Sequence, residues 1–154
     1  MAVYYIDSSG LVKRYVSEAG STWVRSLFDP ALNNEVFIAV VTSVEMIAAI
    51  TRRTRAGTVS PADAAAACSR FRSHLVTGYQ TVQLTDPLLQ RAMSIAETHG
   101  LRAYDFVQLD AAIEVHGRAV AAGVAPVTLV SADVDLNAAA LVEGLTVENP
   151  NAHP

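Results

Sequence analysis

Val3-Tyr4-Tyr5-Ile6-Asp7-Ser8-Ser9-Gly10-Leu11-Val12-Lys13-Arg14-Tyr15-Val16 reads as a buried strand that runs straight into a helix. Four apolar residues of strand length come first, then an acid and two serines suited to cap a helix. Leu11, Val12, Tyr15 and Val16 follow at helical spacing. The same grammar recurs downstream. Val36 to Val41 is a largely β-branched run followed by a helix from Thr42 carrying Val44, Ile47, Ala48 and Ile50. Tyr79 to Leu84 alternates as a strand does, and Asp86-Pro87 opens a helix that ends near His99-Gly100. Val127 to Val130 is a further buried strand, with a helix expected from about Asp135 to Glu143 and a short apolar piece, Leu145 to Val147, after Gly144. Strands joined by helical crossovers predict a mostly parallel sheet covered on both faces, a three-layer α/β/α sandwich.

Between these units the sequence predicts helices only. One follows Gly20, with Trp23, Val24, Leu27 and Phe28 on one side, and is broken at Pro30 and Asn33-Asn34. Gly57 stops the helix begun at Thr42, and Ser60-Pro61-Ala62-Asp63 supplies a cap, a proline at the first helical position and an acid in the first turn, so the two helices form a hairpin. Another helix runs from Tyr104 to about Gly117. The 154 residues, 51% of them hydrophobic, suffice for one core and not for two ordinary domains. A single domain over 1–150 with a polar tail at 151–154 is expected. The longest apolar run, Val36 to Val41, is far short of the ~20 residues of a membrane-spanning helix, and the expected setting is soluble and cytoplasmic.

Several chemistries are excluded by absence. Cys68 is the only cysteine, and the sequence contains no HExxH, no Gly-x-Ser-x-Gly elbow and no glycine-rich phosphate loop. Histidines 74, 99, 116 and 153 are scattered, against the clustering that zinc ligation requires. The formal charge of −4 excludes a uniformly basic surface, although arginines cluster at Arg52-Arg53-Arg55 and Arg70-Arg72, where a local anion-binding strip is compatible with an acidic whole.

The acids carry the functional signal. Asp7, Glu45, Asp105 and Asp133 each stand after an apolar run or at a helix start. Singly, each has a structural explanation: Asp7 as an N-cap, Glu45 as the third residue of a capping box begun at Thr42, and Asp105 and Asp133 as partners of helix dipoles. Together, four segments deliver carboxylates to one edge of one sheet, where ligands bind in parallel α/β folds. Two such charges ~4 Å apart repel by about 4 kcal/mol at an effective dielectric of 20, so a divalent cation is the expected counterweight. Oxygen-only donors select Mg²⁺ or Mn²⁺. Asp135 puts a second carboxylate two residues from Asp133. Asp110, five residues past Asp105, is turned about 140° away on a helix and is expected outside the site. Arg52, seven residues past Glu45, projects from nearly the same helix face.

These residues also carry a family resemblance. Tyr5-Ile6-Asp7-Ser8-Ser9-Gly10-Leu11-Val12-Lys13-Arg14-Tyr15 resembles the opening of PIN-domain ribonucleases, particularly VapC-type toxins. Thr42-Ser43-Val44-Glu45 resembles the second acidic motif of that family, Leu101-Arg102-Ala103-Tyr104-Asp105 the third, Ser131-Ala132-Asp133 the fourth, and Glu143-Gly144-Leu145 to Asn149-Pro150 its last strand and exit. The resemblance implies a PIN-like, Rossmann-like sandwich over 1–150, a homodimer, one or two Mg²⁺ or Mn²⁺ ions, endonucleolytic cleavage of RNA and a cognate antitoxin. Carried over residue by residue, it makes Asp7, Glu45, Asp105 and Asp133 the metal-site carboxylates, with Asp135 able to share or exchange the fourth role and Ser8 and Ser131 as polar neighbours. Arg52 is then placed to hold a substrate phosphate. The alanine-rich hairpin from Ala48 to Val76 offers either a groove for an antitoxin helix or ordinary packing. A non-catalytic PIN-like binding module is the alternative of another class. Aspartate phosphatases and receiver domains fit poorly, since Asp7-Ser8-Ser9 lacks the second acid of Asp-x-Asp and Lys13 is the sole lysine.

Overall fold

A computed structural model describes residues 1–153. Five strands, β1 (Val3–Ile6), β2 (Glu35–Ala39), β3 (Gln80–Val82), β4 (Val127–Val130) and β5 (Thr146–Glu148), form one sheet in the order β3-β2-β1-β4-β5, with every pairing parallel. The helices are α1 (Ser8–Tyr15), α2 (Ser21–Ser26), α3 (Thr42–Arg55), α4 (Pro61–Thr77), α5 (Asp86–Ala96), α6 (Ala103–Ala121) and α7 (Val134–Val142).

The period-two alternation of the strands sorts their side chains between two apolar layers. Val3 and Tyr5 of β1, Phe37 and Ala39 of β2, and Val127 and Leu129 of β4 face a core shared with Leu88, Leu109 and Leu136 of α5, α6 and α7. Tyr4 and Ile6, Val36 and Ile38, and Val130 face the opposite core, built with Leu11, Met46, Ile50 and Phe71 of α1, α3 and α4. This is the expected three-layer sandwich. Ile50, Ala64, Ala67 and Phe71 of the α3–α4 hairpin are consumed by that second core, which favours the packing reading for those side chains.

Element boundaries shift in explicable ways. β2 ends at Ala39, not Val41: the Val40 N–H still bonds the Val82 carbonyl at 2.9 Å, after which the Val40 and Val41 carbonyls accept from Ser43, Val44 and Glu45 as the chain turns into α3. α6 continues to Ala121, past Gly117, which lies in open space and leaves the helical hydrogen bonding intact. The polar tail is docked. Pro150–Ala152 makes a 3-10 turn, the buried Lys13 Nζ donates to Asn151 Oδ1 at 2.8 Å, and the rings of Trp23 and His153 stack with centroids 4.2 Å apart. Pro154, the last residue of that expected tail, lies outside the described residues.

Candidate active site

The chain order of the strands reverses on either side of β1, so the crevice at the carboxyl ends of β1 and β4 is the topological switch point of the sheet. Asp7 stands there, immediately after β1. Gly10 makes the close approach possible: a Cβ at that position would lie 2.8 Å from the Val130 carbonyl oxygen, so the start of α1 is pressed against the end of β4.

Asp7 is both cap and buried acid. Its Oδ1 accepts from the Gly10 N–H at 2.9 Å, and Ser9 Oγ lies 2.8 and 2.9 Å from the two carboxylate oxygens. With only 5% of its surface exposed, the carboxyl is pushed up to about 6, first by burial and further by the Glu45 charge, against the pull of Gly10, Ser9 and Ser131. Ser9 also ties the two strand ends together, accepting from the Ala132 N–H at 2.9 Å and lying 3.2 Å from Ser131 Oγ. Ser131 Oγ in turn accepts from the Asp133 N–H at 3.1 Å. Ser8, the expected polar neighbour, lines the cavity beside Glu45, whereas the connecting role belongs to Ser9.

Glu45 lies one turn into α3, and the capping box does not form. The cap position is Val41, Thr42 is buried, and Glu45 does not reach back. Its Oε2 accepts instead from Gln108 Nε2 at 2.7 Å. Gln108, 2% exposed, also donates to Thr42 Oγ1 at 2.9 Å and accepts from the Tyr5 hydroxyl at 2.6 Å. Sequence reasoning did not select Gln108. The available signal was its spacing of three from Asp105, which puts both on one face of α6. Burial raises the proton affinity of Glu45 and the Asp105 charge adds to this, while Gln108, Ser8 and Arg52 oppose.

Asp105, the third residue of α6, accepts from the Arg102 backbone N–H at 3.2 Å. Asp133 caps α7, its Oδ1 accepting from the Asp135 and Leu136 N–H groups at 3.0 Å each. The Arg102 guanidinium reaches both acids, Nε to Asp105 Oδ2 and Nη2 to Asp133 Oδ2, each at 3.3 Å. Arg102 is the second residue that sequence reasoning passed over. Asp110 is buried elsewhere, paired with Arg91 at 3.1 Å, as its rotation on α6 predicts. Asp135 is exposed on the first turn of α7 and does not line the cavity.

Asp7, Glu45, Asp105 and Asp133 thus line one cavity of about 540 Å³, with Arg52, Arg53 and Arg102 as cations and Val41, Val44, Ala48 and Tyr104 as apolar wall. As donors, four carboxylates suit a hard divalent cation. As positioned, they do not yet cage one: among the described residues, no group of three or more acids, histidines or cysteines is disposed to hold a metal ion. Their charge is met by Ser9, Gln108 and Arg102.

No protein-family model matches the chain, and no curated protein matches it. Solved structures do. The toxin VapC20 from Mycobacterium tuberculosis, described as cleaving the sarcin-ricin loop, superposes with a TM-score of 0.59 at 15% identity, over 88% of this chain and 94% of that one. VapBC2 from Rickettsia felis, solved bound to a DNA fragment from its promoter, gives 0.58 at 12% identity, over 96% and 98%. FitAcB from Neisseria gonorrhoeae gives 0.55 at 14% identity, over 96% and 97%. This chain shares the fold of these solved structures, the sandwich that the resemblance to the PIN-domain family implies.

Proposed function

We propose that this chain is the toxin of a toxin–antitoxin pair, an endoribonuclease that depends on Mg²⁺ or Mn²⁺ and works as a homodimer held in check by a cognate antitoxin. The observation that carries the proposal is the convergence of Asp7, Glu45, Asp105 and Asp133, from four separate elements, on one cavity at the switch point of a parallel sheet. The likeness to VapC- and FitB-type structures supports it at the level of fold. No helix among the described residues is long and apolar enough to cross a membrane.

Asp7, Glu45, Asp105 and Asp133 would hold the ion, which would supply a lowered pKa for an attacking water and charge stabilisation on the phosphate, while Asp135, expected to share the fourth role, lies outside the cavity. The chain's own groups do the rest. Asp7 would be one of the ion's ligands, and Ser9 and Gly10 hold its carboxylate in register. Gln108 fixes the carboxylate of Glu45 and Ser8 presents a hydroxyl to the cavity, whereas Ser131, expected beside it as a polar neighbour, is fully buried and acts through Ser9 and the Asp133 N–H. Arg52 on the cavity wall suits a substrate phosphate, and the 59% exposed ring of Tyr104 suits an unstacked base, the usual target in sequence-specific RNA recognition.

A second reading has one observation in its favour: Arg102 already neutralises two of the acids, as a non-catalytic partner-binding module would allow. Incubating purified, partner-free protein with total RNA in Mg²⁺ or Mn²⁺, against EDTA and an Asp7→Asn control, separates the two. Discrete metal-dependent cuts absent from the variant establish the nuclease. Intact RNA with folded wild-type protein moves the weight to the module.

A further inference from the structure

Arg102 contributes no packing and no backbone bond beyond its place before α6, yet its guanidinium bridges two acids of the cavity. Its backbone N–H is fixed to Asp105, which anchors the residue at the rim, while its side chain is 83% exposed and has no partner other than Asp105 and Asp133 among the described residues. Asp133 divides its labour. Oδ1 is committed to capping α7, and Oδ2, the oxygen left for the cavity, is the one Arg102 takes. Both contacts, at 3.3 Å, exceed the 2.7–2.9 Å typical of a charge-assisted hydrogen bond, and exposed ion pairs of this kind are weak and displaceable. Among the described residues, no set of three acids is disposed around a cation in this arrangement.

We infer that Arg102 is the internal counterion of the acid cluster and competes directly with a divalent cation for Asp105 and Asp133. The inference rests on the reading of the four acids as a cation site. Loading then requires the guanidinium to leave, and its exposure means that only two long hydrogen bonds and no packing oppose departure. The fork geometry matters: one planar guanidinium reaches two carboxylates on different elements, which a lysine ammonium does as a single point charge with poorer aim.

The test is calorimetric titration of Mn²⁺ into the purified full chain, comparing wild type with Arg102→Gln, Arg102→Lys, Arg52→Gln and Asp7→Asn. Arg102→Gln is expected to bind Mn²⁺ about three- to tenfold more tightly, the scale of losing two weak exposed ion pairs, with Arg102→Lys in between. Arg52→Gln removes the same charge from the same cavity and is expected to change affinity by less than about twofold, since only long-range attraction is altered. Equal shifts for Arg102→Gln and Arg52→Gln, or weaker binding by Arg102→Gln, overturn the inference while leaving the cation site standing. Unchanged Mn²⁺ binding by Asp7→Asn, or no binding by any protein, overturns the cation site itself and the inference with it.

Discussion

Asp7→Asn should make the protein more stable while abolishing the proposed RNA cleavage, and the size of the gain follows from burial. The Asp7 carboxyl is driven from an ordinary value of 3.8 to about 6 because the charged form is desolvated. A raised carboxylate takes up protons on folding, so the stability it contributes is fully present below pH 3.8 and is lost as the pH rises through 6. At about 1.36 kcal/mol per pKa unit, the loss approaches ~3 kcal/mol above pH 7 and is roughly half complete at pH 5. Asparagine keeps the cap, its Oδ1 still able to accept from the Gly10 N–H, and carries no charge to desolvate. Urea unfolding of both proteins in EDTA, at intervals from pH 4 to pH 7.5, reads this directly. The two should coincide near pH 4 and diverge with rising pH, the variant gaining up to ~3 kcal/mol, or about 6–12 °C in melting temperature for a chain of this size. A gap that does not change with pH, or a variant less stable than wild type at pH 7, refutes the claim that Asp7 is held charged at a cost.

Other perturbations bear on the same scaffold. Gly10→Ala should lower stability by about 1–3 kcal/mol instead of giving the usual gain of alanine in a helix, because the new Cβ meets the Val130 carbonyl at 2.8 Å and Ile6 Cγ2 at 3.2 Å; thermal melting decides. Gln108→Leu strips partners from the Tyr5 hydroxyl, Thr42 and Glu45, and should cost about 1–3 kcal/mol for each polar group left buried and unpaired. The same change removes a hydrogen bond that holds down the proton affinity of Glu45, so the acidic limb of any pH–activity profile should move to higher pH.

Much of the fold was legible because each strand advertises itself twice, by an apolar run and by the capping chemistry that follows. Ser60 and Thr85 cap α4 and α5 where the sequence placed helix starts. The four acids were legible by position, and three serve as caps as well: Asp7 and Asp133 at α1 and α7, Asp105 in the reciprocal bond with Arg102. Capping and convergence were never rival explanations for these residues, because an acid at the start of a helix that follows a parallel strand is brought to the ligand edge by that very position. Glu45 failed as a cap for a local reason, since α3 begins after Val41 and buries Thr42 against Gln108. Gln108 and Arg102 escaped notice because their importance is tertiary. One is a polar residue on a largely buried helix and the other an arginine in a loop, and nothing in the flanking sequence states that Tyr5, Thr42 or Asp133 will lie within reach.

The central strand has consequences for the order in which the molecule can come into being. β1 leaves the ribosome before the other four strands, but Val3 pairs with Val127, and Ser9 must wait for Ala132 before the cavity has its far wall. Three of the four acids are therefore synthesised well before the fourth, and an incomplete chain holds a sheet with β1 open along one side. If the finished cavity cuts RNA, a chain whose β4 has not yet docked on β1 lacks the means to do so. Whatever restrains the activity need be present only when the last strands dock.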